Sequence, residues 1–317
     1  MKTVIITLNW NGTKNTTQLL QSYMSCNIQI PIWVVDNGSD IDDTEAFKEI
    51  CPSVEIKKLD QNYGFAGGMN RAINLALEAG YEYVYEINND CLFINDAISP
   101  MIEAIKTHPR LALLGSRYYS LDNDGNFTKK GFHSSEDEFS SFNENGILFT
   151  EKVVGCGMLI DCKIYKGIGG MEESYFCYCE ENDYCHKLSR NSYKLGICFN
   201  SLIYHKHEQS NINGNSAYYR SRNIFLFYKR NKDFNLPILS LLKTFITQAI
   251  KSKDIVIKKA IGDGFIHGLI GKYGKRDINL SSKKNYYIML LITPLLIFWG
   301  IFYKFIQTLK KHDNKIN

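Results

Sequence analysis

The sequence predicts an α/β fold on a mostly parallel sheet, followed by a helical extension, and three observations carry that expectation. Short apolar runs recur through the first 120 residues, as in Val4–Leu8, Ile32–Val35 and Tyr83–Ile87. Segments with helical spacing of apolar residues lie between them. The charge then changes sign: residues 1–228 hold 20 Lys and Arg against 28 Asp and Glu, whereas residues 229–311 hold 16 against 4. Strands covered on both faces read as continuous apolar runs, and helical crossovers between them produce parallel pairs.

Taken in order, Val4–Leu8 reads as a buried strand and Thr13–Met24 as a helix with Leu19, Leu20, Tyr23 and Met24 on one face. Ile32–Val35 is a second strand, and Ala46, Phe47 and Ile50 mark a short helix. Val54–Leu59 is a third strand. Met69, Ala72, Ile73, Ala76 and Leu77 follow helical spacing up to Gly80, which suits a left-handed cap. Tyr83–Ile87 and Leu111–Leu114 give a fourth and a fifth strand. Residues 120–150 are polar, as in a long loop or short hairpins, and Val153–Ile160 returns to strand character. Residues 171–183 are irregular, Tyr184–Ser189 is helical, and beyond Tyr218 the chain becomes helical, aromatic and basic.

Bulk composition sets limits. The 317 residues suffice for one large domain plus an extension, and 44% hydrophobic with 22% charged residues is ordinary for a globular chain. The 20 Tyr suit a sugar-stacking surface, a membrane interface or an aromatic core equally well. The nine Cys show no metal or disulfide spacing, which points to free, mostly buried thiols in a reducing cytoplasm. The run Val4–Leu8 is too short for a secretory signal, so the body is expected in the cytoplasm. A basic, apolar tail suits anionic lipid headgroups, and no RNA-recognition motif argues for nucleic acid.

In an open parallel sheet, ligands bind at the carboxyl ends of the strands. The residues that follow the first four strands are Asn9-Trp10-Asn11, Asp36-Asn37-Gly38-Ser39, Asp60-Gln61-Asn62-Tyr63-Gly64 and Asn88-Asn89-Asp90. Each alone is an ordinary turn; four in succession bring amides and carboxylates to one edge. Neither a Gly-x-Gly-x-x-Gly dinucleotide loop nor a Gly-Lys-Ser/Thr phosphate loop is present. Asp36 and the amides suit a nucleobase and ribose. Asp90 is placed where a hard cation, Mg²⁺ or Mn²⁺, would bridge it to a diphosphate, unless the triplet is only a polar strand end. Gly64-Phe65-Ala66-Gly67-Gly68-Met69-Asn70-Arg71 opens a helix whose amides suit an anion, although glycines also permit tight helix–sheet packing.

The strings Val4–Gly12, Val34–Ser39, Asn62–Gly68, Ile87–Asp90, Gly169-Gly170-Met171, Tyr178–Asp183 and Tyr204-His205 together resemble glycosyltransferase family 2. Within that family the chain resembles the rhamnosyltransferase-like branch of bacterial surface-polysaccharide enzymes, over roughly residues 3–230. The resemblance implies the Rossmann-like GT-A fold for nucleotide-diphospho-sugar transferases. It also implies an inverting, metal-dependent transfer from a UDP- or dTDP-sugar to an acceptor hydroxyl, in O-antigen or capsule synthesis. It assigns Asn9, Asn11, Asp36, Gly64, Gly67, Arg71 and Asn88 to the nucleotide, and Asp90 and His205 to Mg²⁺ or Mn²⁺. A catalytic base is implied at Glu181, or at Glu180, because the family's Glu-Asp pair is Glu-Glu here. A lone His is often structural, and an acidic helix start also arises from the helix dipole alone. Arg222 fits a contact to the acceptor or to a phosphate, or packing of the final helix on the sheet.

These assignments give a catalytic domain at 1–232 and a membrane-associated helical region at 233–317. Residues 236–276 read as amphipathic helices. Tyr286–Tyr303 holds no charged residue, and as a helix it would measure about 27 Å, just short of a bilayer core. Lys residues flank it on both sides, so its sidedness is not set; Pro294 suits an interfacial or re-entrant course, and a buried hairpin is the alternative. The expected partners are the donor, a saccharide or lipid-linked saccharide acceptor, and a lipid surface at the cytoplasmic face of the membrane. A sugar nucleotidyltransferase and a non-catalytic glycan-binding protein are the competing functions.

Overall fold

The computed structural model describes residues 1–121, 127–128, 146–206, 214–232, 247–277, 284–292 and 294. The chain forms two compact units, Met1–Asn211 and Ile212–Asn317.

The first unit begins as the sequence predicts: β1 (Thr3–Asn9), α1 (Thr13–Ser25), β2 (Ile32–Asp36), α2 (Thr44–Ile50), β3 (Glu55–Lys58), α3 (Gly64–Glu78) and β4 (Tyr83–Ile87). It continues with β5 (Cys91–Phe93), α4 (Ser99–Lys106), β6 (Leu111–Leu121), β7 (Phe127–Thr128), β8 (Ile147–Phe149), β9 (Gly157–Asp161) and α5 (Cys162–Gly167). A 3₁₀ turn at Glu173–Tyr175, α6 (Glu180–Arg190) and β10 (Lys194–Lys206) complete it.

The strand order is β3-β2-β1-β4-β9-β6-β10-β5, with β7 beside β6 and β8 beside β10. Expecting a mostly parallel sheet was half right. β3, β2, β1 and β4 run parallel, but β9 enters antiparallel between β4 and β6, and β5 pairs antiparallel with β10. Because β10 runs parallel to β6, the second half is mixed.

Both faces of the sheet are covered. Val4, Ile5 and Ile6 have no solvent exposure, the signature of a central strand. Leu19, Leu20, Phe47, Met101 and Ile105 from α1, α2 and α4 pack on one face. Ala66, Met69, Ala72, Ile73, Tyr165, Tyr184 and Leu188 from α3, α5 and α6 pack on the other. The outer strand β3 is polar, and Lys57 lies over the Trp33 ring at 4.5 Å, which covers the edge with charge. Strand order turns between β1 and β4, so the crevice past their carboxyl ends is the expected ligand position.

In the second unit α7 (Gly214–Arg230) packs on α8 (Ile255–Ile270). A Cβ at Gly264 would lie 2.1 Å from Ser221 Oγ, so only glycine admits this approach. Arg222 is fully buried. Its Nε donates to Asn223 Oδ1 at 2.8 Å and its Nη1 to the Gly274 carbonyl, and it lies over the Tyr219 ring at 4.9 Å. These contacts all lie within the second unit. The centre of α8 is buried on all sides rather than amphipathic, which corrects the reading of 236–276 over this stretch. No helix among the described residues is long and apolar enough to cross a membrane. Residues 233–246, and most of Tyr286–Tyr303 beyond 292, lie outside the described residues.

Candidate active site

Hydrogen bonds tie the first strand ends together. Asn9 is 1% exposed and pairs in register with Asp36. Its Nδ2 donates to Asp36 Oδ1 at 3.3 Å and to Ser39 Oγ at 3.3 Å, while Thr16 Oγ1 donates to its Oδ1 at 2.8 Å. Asn89 Nδ2 donates to the same Thr16 hydroxyl at 3.1 Å, which links the end of β4 to that of β1. Asn11, at φ 50°, exchanges hydrogen bonds of 2.8 Å with Asp40, and its backbone N–H donates to Ser39 Oγ at 2.9 Å. Ser39 Oγ also donates to Asp36 Oδ1. Beyond Asp36 opens a cavity of about 310 Å³, lined by Gly38, Ser39, Asp40, Lys58 and Asp60 among others.

Asp90 is 9% exposed, and its Oδ1 has no hydrogen-bond donor among the described residues. The Nε2 of His205 approaches that oxygen at 3.3 Å. Two sheet pairings make the meeting: the Lys206 amide donates to the Asp90 carbonyl at 2.9 Å, and His205 is the register partner of Cys91. Burial disfavours the charged imidazole. The close contacts and charge of Asp90 and Cys156 outweigh it and raise His205 to about 10. A buried carboxylate oxygen short of donors beside an imidazole is a donor set that accepts a divalent cation. Asn88 is half-buried, and its carbonyl accepts from the Cys91 amide at 3.0 Å.

The acidic pair opens α6, one turn earlier than the sequence suggested. Phe176, Tyr178 and Cys179 precede it at φ 63°, 69° and 77°, a left-handed run of non-glycine residues. Such conformations cost about 1–3 kcal/mol each, and they persist where the surroundings impose them, commonly at active sites. Glu180 is 4% exposed and its Oε2 has no partner among the described residues. Burial, then the charge of Glu181, push its carboxyl well above the usual carboxylate range, so Glu180 holds its proton. Glu181 is half-buried, accepts from Asn182 Nδ2 at 3.0 Å and packs beside Gly155.

Three assigned nucleotide residues line a packing seam. Gly64, at φ +74°, faces Phe176, whose carbonyl accepts from the Phe65 amide at 2.6 Å. A Cβ on Gly67 would meet Tyr63 at 2.9 Å. Arg71 lies 3.5 Å over the Tyr63 ring and pairs with Glu173 at 3.1 Å. The glycines thus bring α3 against the 173–176 turn, the packing role that the sequence left open. Their space is filled by protein, and Arg71 already holds a counter-charge.

Sequence reasoning passed over Glu86, Cys91 and Cys156. Glu86 is 1% exposed on β4, both carboxylate oxygens lack partners among the described residues, and burial, then Cys156 and Glu181, raise it well above the usual range. A carboxylate inside Val84-Tyr85-Glu86-Ile87 was the available signal. The cysteines carried none, being far apart along the chain. All nine are free, as expected.

The family model described as glycosyl transferase family 2 matches residues 4–167. The low-salt glycan biosynthesis hexosyltransferase Agl10 of Haloferax volcanii is 25% identical over 183 residues, 52% of this chain and 55% of that protein. The chain therefore spans about half the length of that relative. Among solved structures, GalNAc-T7 with UDP, GalNAc and Mn²⁺ aligns at a TM-score of 0.55 and 14% identity, covering 78% of this chain and 54% of that one. The mannosyltransferase PcManGT of Pyrobaculum calidifontis, in complex with GDP-Man and Mn²⁺, aligns at 0.52 and 11%, covering 93% and 80%. Residues 1–349 of S. aureus TarS in complex with UDP align at 0.52 and 16%, covering 85% and 81%. At these identities the structural likeness is one of fold.

Proposed function

Because the chain belongs to glycosyl transferase family 2 and is a glycosyltransferase, we propose that it moves a hexose, with inversion, from a UDP- or dTDP-sugar to an acceptor hydroxyl. The reading extends to a rhamnosyltransferase-like enzyme of bacterial surface-polysaccharide assembly, dependent on Mg²⁺ or Mn²⁺. The single observation that carries it is the hydrogen-bonded chain from Asp36 through Asn9, Thr16 and Asn89 to the strand end at Asp90. That chain joins a base-binding carboxylate to a cation-binding one across the switch point of the sheet.

Asp36 accepts from the imide N–H of a pyrimidine ring at the mouth of its cavity, and Asn9 and Ser39 hold the carboxylate in place. Asp90 and His205 fit a divalent ion, because Asp90 Oδ1 is buried and short of donors. When bound, that ion neutralises charge on the leaving nucleoside diphosphate. Glu181 takes the proton from the acceptor hydroxyl as its oxygen bonds to the anomeric carbon and the carbon–oxygen bond to phosphate breaks. One base suffices for direct displacement. Glu180, buried and neutral, limits the pair to one negative charge, so the protons of the two carboxyls are assigned by environment.

Lys258, Lys259 and the exposed Ile255, Val256 and Ile270 of α8 support a lipid-facing second unit, with a lipid-linked acceptor at the cytoplasmic membrane face. Purified protein with Mn²⁺ is expected to release nucleoside diphosphate from UDP- or dTDP-hexose when acceptor is supplied. Release of pyrophosphate would indicate a nucleotidyltransferase, and saccharide binding with no nucleotide requirement a glycan-binding protein.

A further inference from the structure

We propose that Cys91, Cys156 and His205 form a site for a thiophilic divalent cation of the Zn²⁺ class, built beside the oxygen-rich site of the transfer reaction. One donor atom from each residue lies within 4.8 Å of the others. Antiparallel pairing of β5 with β10 sets Cys91 opposite His205, and Cys156 immediately precedes β9. Cys91 Sγ already reaches across to the Cys156 carbonyl at 3.2 Å. Strand termini, not mobile loop tips, therefore hold the donors, and such placement favours a preorganised site.

The donor chemistry selects the ion. Zn–S bonds of about 2.3 Å and Zn–N bonds of about 2.0 Å put tetrahedral donors roughly 3.3–3.8 Å apart, so small torsional changes close the observed set. Thiolate and imidazole favour Zn²⁺ over Mg²⁺ or Mn²⁺, which prefer oxygen. Asp90 Oδ1, 3.3 Å from His205 Nε2, offers a fourth donor. Cys91 and Cys156 are 0% and 1% exposed, so the ion would be shielded from solvent. Binding sends the protons held by the two cysteines and by the imidazolium to solvent, leaving two thiolates, a neutral imidazole and a carboxylate around the cation.

The thiol site itself does not depend on the transferase reading; one consequence does. A thiophilic ion would draw His205 and Asp90 away from the oxygen-ligated ion, so Zn²⁺ would compete with Mn²⁺.

The test is anaerobic titration of the metal-free full chain with Co²⁺. The expected result is a near-ultraviolet sulfur-to-cobalt charge-transfer band that saturates at equimolar metal. Zn²⁺ should displace it and Mg²⁺ should not, and it should fall several-fold in Cys91→Ser and in Cys156→Ser. A wild-type spectrum without that band overturns the proposal whether or not the variants fold, and so does a band that survives both substitutions. Nucleoside diphosphate binding by the same preparation is read separately, so loss of nucleotide binding with the band intact would sink only the transferase reading.

Discussion

At the level of single residues, the site rests on groups whose surroundings decide their protonation and reach. Asp90 Oδ1 is buried with His205 Nε2 3.3 Å away, so Asp90→Ala removes the proposed cation ligand together with the ion-pair partner of His205. Turnover is expected to fall at least about 10²-fold in a nucleoside diphosphate release assay. Glu181→Gln should lower kcat by about 10²–10⁴-fold with donor affinity retained, because a general base contributes on that scale. Asn9→Ala acts differently. It strips a fully buried amide from Asp36, Ser39 and Thr16, so a loss of about 1–3 kcal/mol in denaturant unfolding is expected along with weaker nucleotide binding. Asp36 and Asp90 stood out because polar residues directly after apolar strands mark a ligand edge, whereas Glu181 was singled out only by the family resemblance. Cys91 and Cys156 were not, since only the pairing of β5 with β10 and the position of β9 bring them to His205.

Elements explain which parts of the sequence could be read. β1, β2 and β4 are central and covered on both faces, so their apolar runs are unbroken and their ends clear. β10 escaped the reading because its middle alternates with polar residues, Phe199-Asn200-Ser201, at a register shift against β6. The start of α6 was obscured by the left-handed residues before it, which no propensity anticipates. β4 also carries a testable cost. Glu86 is protonated in the fold, its carboxyl raised by burial, then by Cys156. Its favourable contribution is full below the unfolded carboxylate range and is lost as pH rises toward the raised value. Glu86→Gln should therefore be near neutral in stability at pH 4 and stabilising by about 1–3 kcal/mol at pH 8, measured by urea unfolding at both pH values. In the second unit, Gly264→Val would drive a side chain into Ser221 and the Tyr218 carbonyl, and a loss of about 1–3 kcal/mol is expected.

For the whole molecule, the sheet turns at β1 and β4, and two groups of side chains lie past their ends: the amides that hold Asp36, and Asp90 paired with His205. The mixed second half, with β9 reversed and β10 returning beside β6, carries His205 to Asp90 from 115 positions further along the chain. The first half could be anticipated from local pattern, whereas the second is a matter of long-range pairing. The most direct measurement is calorimetric titration of the full chain with UDP and with dTDP, with and without Mn²⁺. Saturable binding that strengthens at least about 10-fold with the ion, and loses that gain in Asp90→Ala and most of its affinity in Asp36→Ala, is the expected result. Equal affinity in the wild type and both variants, or no binding of either nucleotide under any condition, would contradict it.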